Sequence, residues 1–140
     1  MPTEFTEIYE MFLSKITDYD ILKLDEDELD VEFKMLLKKA LARFVYIKDV
    51  SVDYDFEQFS RELTGLEIDI ISSYMVSAWI SPKINNITLL RQSLSSKDFT
   101  MYSQANHLST LIELKDKVEK EAQYWASRYS LIDFAKNGGK

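Results

Sequence analysis

Residues 64–82, TGLEIDIISSYMVSAWISP, decide how this chain folds. Thr64 and Glu67 stand at capping-box spacing, where a hydroxyl and a carboxylate each satisfy an orphan amide at a helix start. Leu66, Ile68, Ile70, Ile71, Tyr74, Met75, Val76, Ala78, Trp79 and Ile80 then cover most of the helix circumference. A helix apolar nearly all round is a central one, covered by neighbours on several sides. Past the first turn its polar residues are small. Ser73, Ser77 and Ser81 form an i, i+4, i+8 line along which another helix can approach closely. Pro82 has no amide proton and clashes with the preceding turn, so it is expected to end or kink the helix. A shorter helix would follow through Ile84, Ile87, Leu90 and Leu94.

Outward from this segment the pattern stays helical. Phe5, Ile8, Tyr9, Phe12, Leu13 and Ile16 recur at intervals of three and four, with Thr3 as the expected cap, until Asp18-Tyr-Asp breaks the pattern. A second helix starts at Asp25, with Glu28 as its capping-box partner. Its acids Glu26, Asp27 and Glu28 suit the positive end of the helix dipole, and Lys38, Lys39 and Arg43 suit the negative end. Leu29, Phe33, Leu36, Leu37, Ala40, Leu41 and Phe44 give it one buried stripe. The last helix is the longest, with Leu111, Leu114, Val118, Ala122, Trp125, Tyr129 and Ile132 expected to face inward. About thirty helical residues would reach on the order of 45 Å.

Between the second and third helices this pattern fails. Val50, Val52, Tyr54 and Phe56 alternate with polar residues, as in a half-buried strand. A lone strand has no partner in a helical domain, so residues 45–60 are expected to form an extended loop. Its four apolar side chains make it a candidate contact loop toward another copy or a partner edge. The expected fold is therefore all-α: a bundle of about four to five helices with a long C-terminal helix, in one domain over 1–135, and a flexible tail at 136–140. Three glycines and two prolines in 140 residues leave little punctuation for an all-β alternative.

Composition narrows the function classes. The 46% apolar and 29% charged residues are ordinary for a globular protein. There is no cysteine, which excludes disulfides, thiolate metal sites and thiol catalysis. The opening MPTEFTEIYEMF is acidic where a secretory signal would be basic, and no apolar run is long enough for a membrane span. A cytoplasmic site of synthesis with no membrane partner is the expectation. Charge is unevenly spread: residues 1–82 hold 8 Lys/Arg against 18 Asp/Glu, and residues 83–140 hold 9 against 6. The acidic front opposes gripping a phosphate backbone, which needs cations. It suits a surface that a polyanion passes without adhering.

No catalytic constellation emerges. Asp53-Tyr-Asp55-Phe-Glu57 resembles the start of a calcium loop, but Gln58 stands where the turn needs glycine and Thr64 where a bidentate glutamate belongs. The acidic run Asp25 to Glu32 is explained by capping and solvation. His107, the single histidine, has no Gly-framed serine elbow to serve, and no glycine pair inside the fold could cradle a phosphate. No catalytic, cofactor or metal residue is assigned, and an enzyme is not expected.

Residues 95–108, SSKDFTMYSQANHL, lie between the two longest apolar patterns. Ser95 and Asp98 have capping-box spacing, while Phe99 and Tyr102 share one face. Ser95, Ser96, Lys97, Asp98, Phe99, Tyr102 and His107 form a candidate interface to another subunit or a partner, with Phe99→Ala and Tyr102→Ala expected to weaken assembly more than stability.

This stretch belongs to a wider resemblance. The segments IYEMFLSKITDYDILKL, MVSAWISPKINNITLLRQSLSSKDF and YSQANHLSTLIELKD are similar to those of small head–tail connector (adaptor or neck) proteins of tailed phages and prophages of Gram-positive bacteria. The resemblance covers most of the chain but not the loop 45–62 or the tail after about residue 125. It implies an all-α protein without catalysis, present in the virion at the head–tail interface and in the host cytoplasm during assembly. It implies a homo-oligomeric ring of about twelve copies beneath the portal protein, and the acidic front half against the basic back half fits head-to-tail packing in such a ring. Such a ring extends the DNA channel, passes DNA without reading its sequence, and docks the next neck, stopper or tail protein. The alternative reading is a small cytoplasmic helical module that binds and regulates another protein.

Overall fold

The computed structural model describes residues 1–16, 25–44, 47, 49–93 and 104–136. Among them are four helices, α1 (Phe5–Ser14), α2 (Glu26–Arg43), α3 (Gly65–Ser93) and α4 (Gln104–Lys136), and two short strands, β1 (Val52–Asp53) and β2 (Gln58–Phe59). The protein is an all-α bundle with one small hairpin.

α3 is the central helix, as its all-round apolarity requires. The other three helices all pack against it, and every residue from Ile70 to Ser77 is buried. The Thr64 box is formed as read: the Thr64 amide donates to Glu67 Oε1 at 2.8 Å, and the Glu67 amide donates to Thr64 Oγ1 at 3.1 Å. α3 does not stop at Pro82, however; it runs on to Ser93 as one 29-residue helix. A helix-interior proline costs about 3 kcal/mol. That cost is local, whereas Met75, Val76, Trp79 and Ile80 before it, and Ile84 after it, all pack into the core. Burial at about 25 cal/mol per Å² of apolar surface outweighs it.

α1 and α2 build the aromatic part of the core. Phe5, Ile8, Tyr9, Phe12 and Ile16 are buried, as are Phe33, Leu36, Leu37, Ala40 and Phe44. Tyr9 stacks on Phe33 with centroids 4.5 Å apart, and Phe12 meets Phe33 and Trp79 edge-on. Asp25 caps α2, accepting from the Glu28 amide at 2.8 Å. The cap of α1 is Glu4 rather than Thr3; the Glu4 amide donates to the Glu7 carboxylate at 3.0 Å. Thr3 is buried and serves the hairpin. Its carbonyl accepts from the Phe59 amide at 2.9 Å, and its hydroxyl accepts from the Leu63 amide at 2.8 Å.

Residues 52–59 correct the expectation that this segment lacks a partner in its own chain. β1 and β2 pair antiparallel, Val52 with Phe59 and Asp53 with Gln58, and Glu4 bridges Gln58 on the far side. Asp53 Oδ1 accepts from the amides of Asp55 and Phe56 and so closes the turn. Glu57 adopts the left-handed conformation, φ 53°, that a four-residue hairpin loop needs for its return. Lys34 anchors the loop to α2 through Glu57 at 2.9 Å, and the Lys38 ammonium lies 4.8 Å from the Tyr54 ring centre.

α4 lies along the other side of α3. Leu111, Val118, Ala122 and Ala126 are its buried residues, with Leu114 and Tyr129 packed at the margin. At about 1.5 Å per residue its 33 residues span roughly 50 Å. Trp125 and Ile132, expected to face inward, are 39% and 56% exposed. The inward line steps from Val118 to Ala122, Ala126 and Tyr129, because a helix of 3.6 residues per turn needs intervals of four more often than of three. Trp125 and Ile132 fall on its edge.

Candidate functional site

Two polar seams fasten α4 to α3, and they differ in how far they are closed. At the start of α3 the Arg61 guanidinium grips Glu67 bidentately, at 2.9 and 2.7 Å. The Tyr129 hydroxyl donates to Glu67 Oε2 at 2.8 Å. Glu67 is 1% exposed. Burial pushes its carboxyl up, but Arg61, the Thr64 amide and Tyr129 together outweigh burial and hold it at about 2. Both oxygens have partners, so the seam has no capacity for a ligand.

The second seam sits ten residues further along α3, about 15 Å away. Ser77 Oγ donates to Glu119 Oε1 at 2.6 Å, and Arg43 from the last turn of α2 reaches both, at 3.2 and 3.0 Å. The guanidinium also lies 4.6 Å from the centre of the Tyr74 ring. Ser77 is the middle member of the serine line, and α4 approaches there. Burial pushes the Glu119 carboxyl up, but the Ser77 hydroxyl and Arg43 outweigh it, so it titrates below the usual carboxylate range. A buried serine donating to such a weakly basic carboxylate is a structural tie and a poor nucleophile. Beside this tie a groove of about 720 Å³ opens between α2, α3 and α4. Lys39, Lys115, Asn85 and Asn86 line it with Ser81 and Pro82.

Further along α4 is an apolar surface that no described residue covers. Tyr124, Trp125, Leu131 and Ile132 are 54%, 39%, 66% and 56% exposed. Tyr124 meets Trp125 edge-on at 5.0 Å, and the Arg128 guanidinium lies 5.5 Å from the Tyr124 ring centre. These five residues occupy adjacent helical positions and form one amphipathic face. Tyr, Trp and Arg are the side chains that dominate protein interfaces.

The sequence candidates fall elsewhere. Ser95, Ser96, Lys97, Asp98, Phe99 and Tyr102 lie outside the described residues, and His107 falls near the start of α4. Of the candidate contact loop, Val50, Val52 and Tyr54 are half-buried against the core, and Phe56 stands 76% exposed at the hairpin tip. Only Phe56 of the four is free to reach outward. Asp53 is committed to its turn, and no group of three or more His, Asp or Glu suited to a metal occurs among the described residues. No helix among them is long and apolar enough to cross a membrane. Sequence reasoning missed the α4 face because it placed Trp125 and Ile132 inside. The available signal was Tyr124, Arg128 and Leu131 at i, i+4, i+7 on the supposedly solvated side. Comparison with protein-family models, curated proteins and solved structures finds no match.

Proposed function

We propose that this chain is a structural virion protein, a head–tail connector that forms a ring beneath the portal, extends the DNA channel and docks the next neck or tail component. The reading rests on the resemblance of its first, central and 102–116 segments to such connectors. The observation that carries it is the exposed face of α4, with Tyr124, Trp125, Leu131 and Ile132 at the far end of a helix about 50 Å long. Ala126 and Tyr129 hold that stretch of helix against its own bundle while the opposite face, with its two exposed aromatics, points outward as a surface suited to a second protein. The acidic residues 1–82 suit a channel wall that DNA passes without adhesion. In this reading the protein needs no cofactor and no catalytic residue, and it works in the virion after assembly in the host cytoplasm.

Imaging purified protein mixed with portal rings tests the proposal. An added ring of density on one end of each portal is expected. Portals left bare at saturating protein would overturn it.

A further inference from the structure

We propose that the groove beside Pro82 receives the acidic first turn of α2 from a second copy of this chain. The groove brings Lys39 and Arg43 from α2 together with Lys115 from α4, against one carboxylate, Glu119. Arg43 already holds Glu119, whereas neither Lys39 nor Lys115 forms an ion pair among the described residues. Two side-chain amides, Asn85 and Asn86, are exposed on the α3 wall and can donate to a carboxylate. The groove is thus a cationic, donor-rich cleft in a chain whose net charge is −7.

Its complement is at the other end of the same helix. Glu26, Asp27 and Glu28 are exposed and form no ion pair among the described residues, and Val31 beside them is 68% exposed. Helix-dipole stabilisation accounts for acids at the start of α2 and bases at its end. It does not account for Lys115, Asn85 and Asn86, which converge on the same point from two other helices. The ends of α2 are about 27 Å apart at 1.5 Å per residue. Docking one end into the groove of the next copy leaves a groove and an acidic turn free at the two ends of the pair. Such a heterologous contact closes into a ring when its rotation permits.

The proposal deepens the ring reading, but its test contains no portal. A failed self-contact therefore leaves portal binding standing, and a bare portal leaves the self-contact standing. Sedimentation velocity of the purified protein at low salt should show association that grows with concentration and is lost at high salt, where the Debye length falls to a few Å. Lys39→Glu/Lys115→Glu and Glu26→Lys/Asp27→Lys should each weaken association at least about tenfold, with far-UV circular dichroism unchanged. An equal mixture of the two should recover it, because the acidic groove of the first variant then meets the basic turn of the second, and the basic groove of the second meets the acidic turn of the first. A wild type that stays monomeric at every concentration would overturn the proposal, as would reversal variants that associate normally or a mixture that fails to recover. A monomer that instead binds a Glu-rich peptide through Lys39 and Lys115 would assign the groove to a different protein and also overturn it.

Discussion

Glu67 and Glu119 both join α3 to α4, yet their surroundings are opposite. Glu67 is sealed, and both its oxygens are taken by Arg61, Thr64 and Tyr129. Glu119 is held by Ser77 and Arg43 at the edge of an open groove whose other cations, Lys39 and Lys115, form no ion pair among the described residues. A closed polar seam serves folding; an open one leaves charge that another molecule can answer. The two seams divide the molecule into a part that stabilises and a part that is available for contact.

The division fails first if Glu67 proves dispensable. Glu67→Ala leaves the Arg61 guanidinium without its buried partner, a loss of about 3–5 kcal/mol by urea denaturation. A cost below about 1 kcal/mol would mean that the seam is not a fastening. The same carboxyl sets an acid limb. Its folded pKa of about 2 lies below the ordinary 4.5, so the unfolded chain binds the proton more readily and acid favours unfolding. The contribution, on the order of 3 kcal/mol, is complete above pH 4.5 and disappears as pH falls toward 2. Denaturation midpoints across that window should fall in the wild type and flatten in Glu67→Ala.

The open seam should cost less. Glu119→Ala removes the acceptor of Ser77 and the partner of a partly exposed Arg43, for about 1–2 kcal/mol. A loss equal to that of Glu67→Ala would erase the distinction between the seams. Smallest of all, Tyr124→Ala should change stability by less than about 1 kcal/mol, and Phe56→Ala by about 0.5 kcal/mol or less, since surface substitutions fall in this range. A fall of several degrees in melting temperature would place either ring in the core.

Local signals in the sequence were read correctly because their physics is local. The Thr64–Glu67 and Asp25–Glu28 pairs need only residues three apart; the first formed both bonds of its box, and the second formed the bond from the Glu28 amide to the Asp25 carboxylate. The burial of α3 followed from its lack of a polar face. Signals that compete with distant partners were misread. Thr3 looks like a cap until Phe59 of β2 claims its carbonyl and the Leu63 amide its hydroxyl. Pro82 looks like a stop until the packing of Trp79, Ile80 and Ile84 outweighs it. The hairpin was hidden because β2 contributes only Gln58 and Phe59, too few for a period, and its turn has no glycine. The Arg43–Ser77–Glu119 tie joins residues 34 and 42 positions apart, and only the serine line hinted at it.

The central claim is that the uncovered face of α4 exists to meet a portal. Portal occupancy, counted on imaged particles for the wild type and for Tyr124→Ala/Trp125→Ala side by side, tests it most directly. The account predicts decorated portals with wild type and bare ones with the variant, whose melting temperature stays within a few degrees of wild type. Wild-type protein that leaves portals bare, or a variant that decorates them equally well, would contradict it.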